Sequence, residues 1–153
     1  MFRGNHQARV DDKGRLKLPV DFKRRLDEEY GPRFFITSEN GRRVQIYPMR
    51  EWEKLEADMA RLPQLDPDRA VFFDVTSYYG QEVGMDAQGR VLLPQVAREA
   101  AKATGDVNVL GKQTMLEVVN VDSFREEMKG RGDTVELTAD VRMRLAEKMK
   151  QLG

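Results

Sequence analysis

The sequence has no cysteine among its 153 residues and a single histidine, His6. The lack of cysteine excludes disulfide bonds, thiolate metal sites and cysteine nucleophiles, and it fits a reducing compartment such as the cytoplasm. No stretch approaches the ~20 consecutive apolar residues of a membrane span. Residues 1–6 also lack the apolar core of a signal peptide. His6 has no neighbouring cluster of ligands or catalytic partners, so we expect no metal, no cofactor and no enzymatic activity.

Net charge is also absent, because 26 basic and 26 acidic side chains cancel. Taken alone, this balance argues against a nucleic-acid-binding protein. The charges are unevenly distributed, however. Residues 1–25 contain eight basic and three acidic side chains, a local net charge of +5, whereas acidic residues concentrate at 27–29 and 51–58. The N-terminal 25 residues are therefore basic, and the rest of the chain has the net negative charge that balances them.

A nine-residue stretch occurs twice. Residues 11–19 are Asp-Asp-Lys-Gly-Arg-Leu-Lys-Leu-Pro, and residues 86–94, 75 positions later, are Asp-Ala-Gln-Gly-Arg-Val-Leu-Leu-Pro. Each copy has an aspartate, three residues, an arginine, an apolar–x–apolar step and a proline. A match of this length in frame indicates a tandem duplication. Units of roughly 75 residues bury little surface alone, so we expect each to share a core with its sister or with another subunit.

The same order of elements is predicted in both units: strand, strand, helix, strand, strand, helix. In the first, Asp12-Lys13-Gly14 has the chemistry of a hairpin turn between strands. The alternation after it turns Leu16 and Leu18 inward and leaves Arg15 and Lys17 on the opposite, exposed face. The predicted first-unit elements are strands 6–10 and 15–18, helix 20–30 ending at Gly31, strands 33–38 and 44–47 around Asn40-Gly41, and helix 49–62.

The second unit follows a linker at residues 62–67. We expect a short helix from residue 66 or 67 to 73 and a strand in 76–85. The later elements are predicted as a strand at 90–93, a helix from Pro94 ending at Gly105, strands 107–110 and 115–119, and a helix from 121. Residues 138–152 then predict a threonine-capped helix without a counterpart in the first unit. The fold class is α+β, with units at 5–62 and 76–130 and a helical extension at 134–153.

Four segments carry a resemblance to a known family: residues 1–4 (Met-Phe-Arg-Gly), 11–19, 47–52 and 86–94. Over residues 1 to about 130 the chain resembles the MraZ family of bacterial regulators. Its halves are similar to the swapped-hairpin β-barrel domains of AbrB-type transcription factors. The resemblance implies a sequence-specific DNA-binding repressor of the division and cell-wall gene cluster, cytoplasmic and associated with the nucleoid. It further implies a ring of identical subunits that binds G-rich direct repeats in double-stranded DNA upstream of its own operon.

The resemblance makes Asp-x-x-x-Arg the functional signature, which Asp11 and Arg15 carry in the first copy and Asp86 and Arg90 in the second. An arginine can donate a bidentate pair to guanine O6 and N7, which suits a G-rich target. The structural alternative is an arginine that only pairs with the aspartate four positions before it. The residues alone support the two interpretations about equally, and the resemblance favours base reading. Both hold if the aspartate orients an arginine that reads a base.

Lys13, Lys17 and Arg3 are assigned to DNA phosphates, which position a protein without specifying sequence. The alternative is a solvated basic face. Gly14 and Gly89 are expected to serve the two turns. Gln88 and Leu92 stand where the first copy has Lys13 and Lys17. The first hairpin should therefore dominate DNA contact, with the second contributing Arg90.

Other function classes compete with the repressor. One is a non-enzymatic oligomeric assembly module that binds a protein partner through the acidic helices. An enzyme has no supporting constellation of residues. An AbrB-like antitoxin is disfavoured by the presence of two hairpins, since such antitoxins usually carry one such domain and a disordered tail. Trp52 and Phe124 fall on equivalent helices and are predicted to be core residues and not base-stacking groups.

Overall fold

The computed structural model describes residues 1–130 and 137–153. They divide into two compact units, Met1–Val121 and Asp122–Gly153. Helices and strands alternate in the predicted order, which confirms the α+β class. The elements are β1 (Phe2–Val10), β2 (Arg15–Lys17), α1 (Val20–Glu29), β3 (Arg33–Thr37), β4 (Val44–Pro48), α2 (Met49–Met59), α3 (Pro67–Tyr79), β5 (Gln81–Gly84), β6 (Arg90–Leu92), α4 (Gln95–Ala100), β7 (Gly105–Gln113), β8 (Met115–Asn120), α5 (Val121–Lys129) and α6 (Ala139–Gln151). No helix of the described residues is long and apolar enough to cross a membrane.

The eight strands form one antiparallel sheet in the order β5-β3-β4-β8-β7-β1-β2-β6. Strands of the two sequence repeats interleave in it. β1 pairs with β7 of the other repeat from Phe2↔Gln113 to Val10↔Gly105, and β5 pairs with β3. β5 and β6 are the outermost strands, and a turn joins them in which the Asp86 N–H donates to the Arg90 carbonyl at 2.9 Å. The sheet is therefore a nearly closed barrel.

The barrel interior contains side chains of both repeats. Leu16 and Leu18 of the first hairpin are buried, as are Val91 and Leu93 of the second. The alternation predicted for the first copy is thus confirmed, the second copy shows the same pattern, and the expectation of a shared core is confirmed as well. Other buried side chains in the same cluster are Phe2, Val10, Phe22, Leu26, Phe34, Ile36, Val44, Ile46, Val107, Val109, Leu116 and Val118.

The segment between the repeats differs from the prediction. One helix, α3, runs to Tyr79, where the sequence predicted a short helix and a strand from residue 76. The Asp66 side chain caps it by accepting from the backbone N–H groups of residues 68 and 69. Trp52 stacks on Phe72 with ring centroids 5.9 Å apart, and the Thr37 hydroxyl donates to the Thr76 carbonyl at 2.7 Å. The β-branched and aromatic residues of α3 favour a strand, but these tertiary contacts outweigh that preference.

Two helix ends also differ. α2 ends at Met59, before the predicted residue 62. α4 ends at Ala100, and Gly105 is the first residue of β7 and not the end of the helix. Lys102 takes the left-handed conformation that stops the helix, with φ of 52°.

The C-terminal helix was expected to lack a counterpart, and that prediction is wrong. α6 begins at Ala139 and α3 at Pro67, 72 positions earlier, and each has 13 residues. The helices before them, which begin at Val121 and Met49, have the same offset. The predicted cap is confirmed, because the Thr138 hydroxyl accepts from the Val141 N–H at 3.2 Å. Residues 134–136 of the predicted extension lie outside the described residues.

Candidate nucleic-acid interface

The first hairpin turn is organised by the carboxylate of Asp11. Its Oδ1 accepts from the backbone N–H groups of Lys13 at 3.0 Å and Arg15 at 2.9 Å. Its Oδ2 accepts from Arg15 Nε at 2.8 Å. Gly14 has φ of +85°, a left-handed conformation that a glycine adopts without strain. The Arg15 N–H holds the pKa of Asp11 below its ordinary value, with the arginine side chain and the Lys13 N–H adding to this against partial burial.

The second turn reproduces the first bond for bond. Asp86 Oδ1 accepts from the N–H groups of Gln88 and Arg90, both at 2.9 Å, and Oδ2 accepts from Arg90 Nε at 2.8 Å. Gly89 has φ of +76°. The pKa of Asp86 is lowered chiefly by the N–H of Arg90. The repeated motif is therefore a repeated structure, and the spacing of four is set by a carboxylate that bonds two backbone groups and one guanidinium.

The mode of pairing in these turns leaves part of each guanidinium available. Each arginine contacts its aspartate through Nε, the atom nearest the chain. A bidentate contact with guanine needs two donors on one edge, and the two terminal nitrogens, Nη1 and Nη2, offer such an edge. The side chains of Arg15 and Arg90 keep 32% and 28% of their surface exposed. Aspartate pairing and base contact are therefore compatible in one arginine.

Pairing between β2 and β6 places the two hairpins side by side. Arg15 lies opposite Leu92, and Lys17 lies opposite Arg90. Directly opposed residues of an antiparallel pair project from the same face. Leu16 and Val91, which project from the other face, are buried. The outward face thus combines Arg15 and Lys17 of one repeat with Arg90 of the other.

Each turn is also hydrogen-bonded to a residue of the other repeat. The Gly14 carbonyl accepts from the Leu93 N–H, and the Gly89 carbonyl accepts from the Leu18 N–H, both at 3.0 Å. Backbone bonds of this kind hold the tips at a fixed separation. The two hairpins form one rigid surface and not two separate arms. We call this surface the paired-hairpin face: the turns 11–15 and 86–90 with strands β2 and β6.

The predicted site residues do not all lie on this face. Lys13 is in the first turn and is exposed. Arg3 is opposite Lys112 near the far end of β1, seven residues from Val10, which is roughly 23 Å at the rise of a strand. The structure therefore brings Lys13, Arg15, Lys17 and Arg90 together and leaves Arg3 apart.

Sequence reasoning missed a cation from the second repeat that backs the first hairpin. The guanidinium of Arg98 lies against Gly14, so close that an added Cβ would meet its Nη1 at 1.4 Å. Its Nη1 donates to the Leu93 carbonyl at 3.1 Å. The counterpart, Lys23, lies against Gly89 in the same way but pairs with Asp27 at 2.7 Å. The sequence did contain a sign of this: Lys23 and Arg98 each stand four residues after the proline that ends the repeated stretch.

Other residues singled out in the sequence have structural roles. The ring of His6 packs edge-on against Phe22, with centroids 4.6 Å apart. Trp52 is buried between aromatic rings, as predicted. In the part of the chain that the structure describes, no group of three or more His, Asp or Glu side chains is placed to hold a metal ion.

Comparison with known proteins gives consistent results. The family model described as "MraZ protein, putative antitoxin-like" matches residues 1–74 and 80–130. A transcriptional regulator MraZ of Acidobacterium capsulatum is 59% identical over 129 residues, covering 84% of this chain and 88% of that protein. Its namesake in Koribacter versatilis is 47% identical over 137 residues, covering 89% and 93%. That of Caldicellulosiruptor saccharolyticus is 31% identical over 153 residues, covering 100% and 99%.

Proposed function

Because this chain belongs to the MraZ family of transcriptional regulators, we propose that it is a sequence-specific repressor that binds double-stranded DNA through the paired-hairpin face. Its target is the set of G-rich direct repeats upstream of its own operon in the division and cell-wall gene cluster. It works as a ring-shaped homo-oligomer, in the cytoplasm and in association with the nucleoid. It has no catalytic role.

The observation that carries the proposal is the geometry of Arg15 and Arg90. Both are bonded by an aspartate through Nε and lie on one outward face, so the Nη1–Nη2 edge of each guanidinium is not the edge that Nε offers to the aspartate. A preorganised donor pair loses little side-chain freedom on binding. In this proposal the two arginines read guanines, whereas Lys13 and Lys17 contact phosphates. Arg3 stays a prediction, since its position gives it no part in this face.

The neutral chain fits this proposal because only one face needs to be basic. A single paired-hairpin face offers few contacts and should bind weakly. A ring that presents several faces to several repeats gains affinity through effective concentration, on the order of 10²–10⁴. Direct repeats all run in the same direction along the DNA. Neighbouring subunits of a ring also face in the same direction around it, so each subunit can meet a repeat in the same way.

The test is fluorescence anisotropy with DNA taken from immediately upstream of the gene, compared with the same duplex in which the guanine tracts are scrambled. We expect saturable binding to the first at least 10³ tighter than to the second at moderate salt, as for specific DNA-binding proteins. Equal affinity for both duplexes would contradict a repressor. That result would favour the assembly module that binds a protein partner through the acidic helices.

A further inference from the structure

The second helix of each repeat's helical pair differs between the two halves, because α3 has a buried residue and α6 has none. α3 turns Phe72 and Thr76 inward, where they contact Trp52 and Thr37. The equivalent positions of α6, 72 residues later, are Arg144 and Lys148. Charged side chains cannot replace an aromatic ring and a buried threonine without a large desolvation cost. α6 therefore cannot pack as α3 does, although it is the same element of the repeat.

α6 has its apolar side chains on a different face. Val141, Leu145 and Met149 recur every four residues and form a continuous seam. Leu145 is 46% exposed and Met149 58% exposed. At 100° per residue, Arg142 flanks this seam on one side and Arg144 with Lys148 on the other. We call Val141, Leu145 and Met149 the α6 seam.

α3 has a second seam on its outward side. Val71, Val75 and Tyr78 follow the i, i+4, i+7 spacing of one helix face. Val71 is 60% exposed and Tyr78 67% exposed. The flanking positions are acidic, Asp74 on one side and Asp68 on the other. We call Val71, Val75 and Tyr78 the α3 seam.

We propose that the α6 seam of one subunit packs on the α3 seam of the next, and that this contact builds the oligomer. The two seams have similar length and character, and the cations that border one match the carboxylates that border the other. Opposite charge at the rim of an apolar contact selects the partner and its orientation. Because α3 and α6 are different surfaces, the contact is heterologous, and repetition of such a contact closes into a ring when the rotation permits. This inference rests on the ring in the proposed function and names its interface.

The absence of cysteine allows a direct test. Tyr78→Cys and Leu145→Cys variants of the full chain would be treated with a short bismaleimide, singly, mixed after subunit exchange, and combined in one chain. We expect each single variant to stay uncoupled, the mixture to give a two-chain product, and the double variant to give a ladder of covalent oligomers. Coupling of Leu145→Cys to itself, coupling within one chain only, or no coupling in an oligomeric protein would overturn the interface.

A charge variant separates this inference from the proposed function. In this interface Leu145→Glu would place a carboxylate on the α3 seam, between the flanking Asp68 and Asp74, so light scattering should show a fall to the monomer mass. Val20→Glu, at an apolar residue of α1 that is 79% exposed, is the matched control and should keep the wild-type mass. Leu145→Glu should bind a single DNA repeat as wild type does and lose at least tenfold in affinity for a multiple-repeat duplex. An unchanged mass overturns the interface alone, whereas a wild-type protein that is monomeric overturns the ring as well.

Discussion

The two hairpins have the same backbone and different surfaces. Both turns place an aspartate on two N–H groups and an arginine Nε with distances that agree within 0.1 Å. Around that frame the first has Lys13 and Lys17, and the second has Gln88 and Leu92. Even the cations behind the turns differ, since Lys23 is paired with an aspartate and Arg98 bonds a backbone carbonyl. The two hairpins therefore share the arginine geometry, whereas the additional positive charge lies in the first.

This comparison predicts that Arg15→Ala has the largest effect. A bidentate arginine–guanine contact contributes about 1–3 kcal/mol, so specific affinity for the G-rich repeats should fall about 5-fold to about 160-fold. Arg90→Ala should lose less, because Gln88 and Leu92 give it no neighbouring cation in its own hairpin. Anisotropy with specific and scrambled duplexes measures both losses, and light scattering checks that the oligomer survives. If the two losses are equal, the first hairpin does not dominate.

The two turn glycines should differ in how much a side chain at each position destabilises the fold. Gly14→Ala and Gly89→Ala both force a side chain into a left-handed conformation, which costs roughly 1–2 kcal/mol. The Gly14 substitution should cost more. Its Cβ would meet Arg98 Nη1 at 1.4 Å, and moving that group breaks its bond to the Leu93 carbonyl, whereas the Cβ at Gly89 would meet Lys23 Cδ at 2.8 Å, a much smaller overlap. Urea unfolding measures the difference. Arg98→Ala in the Gly14→Ala background should recover part of the loss, and a failure to do so would exclude the clash as its cause.

Much of this site follows from local sequence. Alternation identified Leu16 and Leu18 as buried and Arg15 and Lys17 as outward, because period two is a property of the strand itself. The position of the turn was also accessible, since aspartate and glycine have specific local roles in tight turns, but the carboxylate that bonds the turn is that of Asp11 and not that of Asp12. Lys17 beside Arg90 and Arg98 against Gly14 were not predicted. They depend on strands of one repeat pairing with the other across about 75 residues, which neither propensity nor periodicity encodes.

The error at α3 has a related cause. The run Val71 to Tyr79 has the composition of a strand, and its helical state depends on Trp52 and Thr37, which are distant in sequence. α3 and α6 are 72 residues apart, and the capping residues at 66 and 138 have the same spacing. No other local pattern used in the prediction related the two helices.

Removing a cation from the first hairpin or adding one to the second should change DNA affinity less than Arg15→Ala does. The two changes should have opposite signs. The slope of log affinity against log salt is negative. Lys13→Gln should make it shallower by about 0.9 for each hairpin that contacts DNA, whereas Gln88→Lys should make it steeper by a similar amount. Neither change should alter the ratio of specific to scrambled affinity, since phosphate contacts do not read sequence. Titrations at several salt concentrations measure the slope. An unchanged slope for Lys13→Gln would remove its phosphate role.

The smallest expected difference is in acid stability, where the hairpins should behave alike. The N–H of Arg15 lowers the pKa of Asp11 in the folded chain below its ordinary value of 3.8, and the N–H of Arg90 does the same for Asp86. A lowered folded pKa means that each carboxylate stabilises the fold at neutral pH and that this contribution is lost as pH falls below 3.8 through the folded pKa. Thermal unfolding from about pH 6 to about pH 2 should therefore show a flatter acid limb in Asp11→Asn and in Asp86→Asn, by equal amounts. Asp12→Asn, in the same turn, is the control, and flattening in only one hairpin would mean that the shared backbone geometry does not set the electrostatics of the turn.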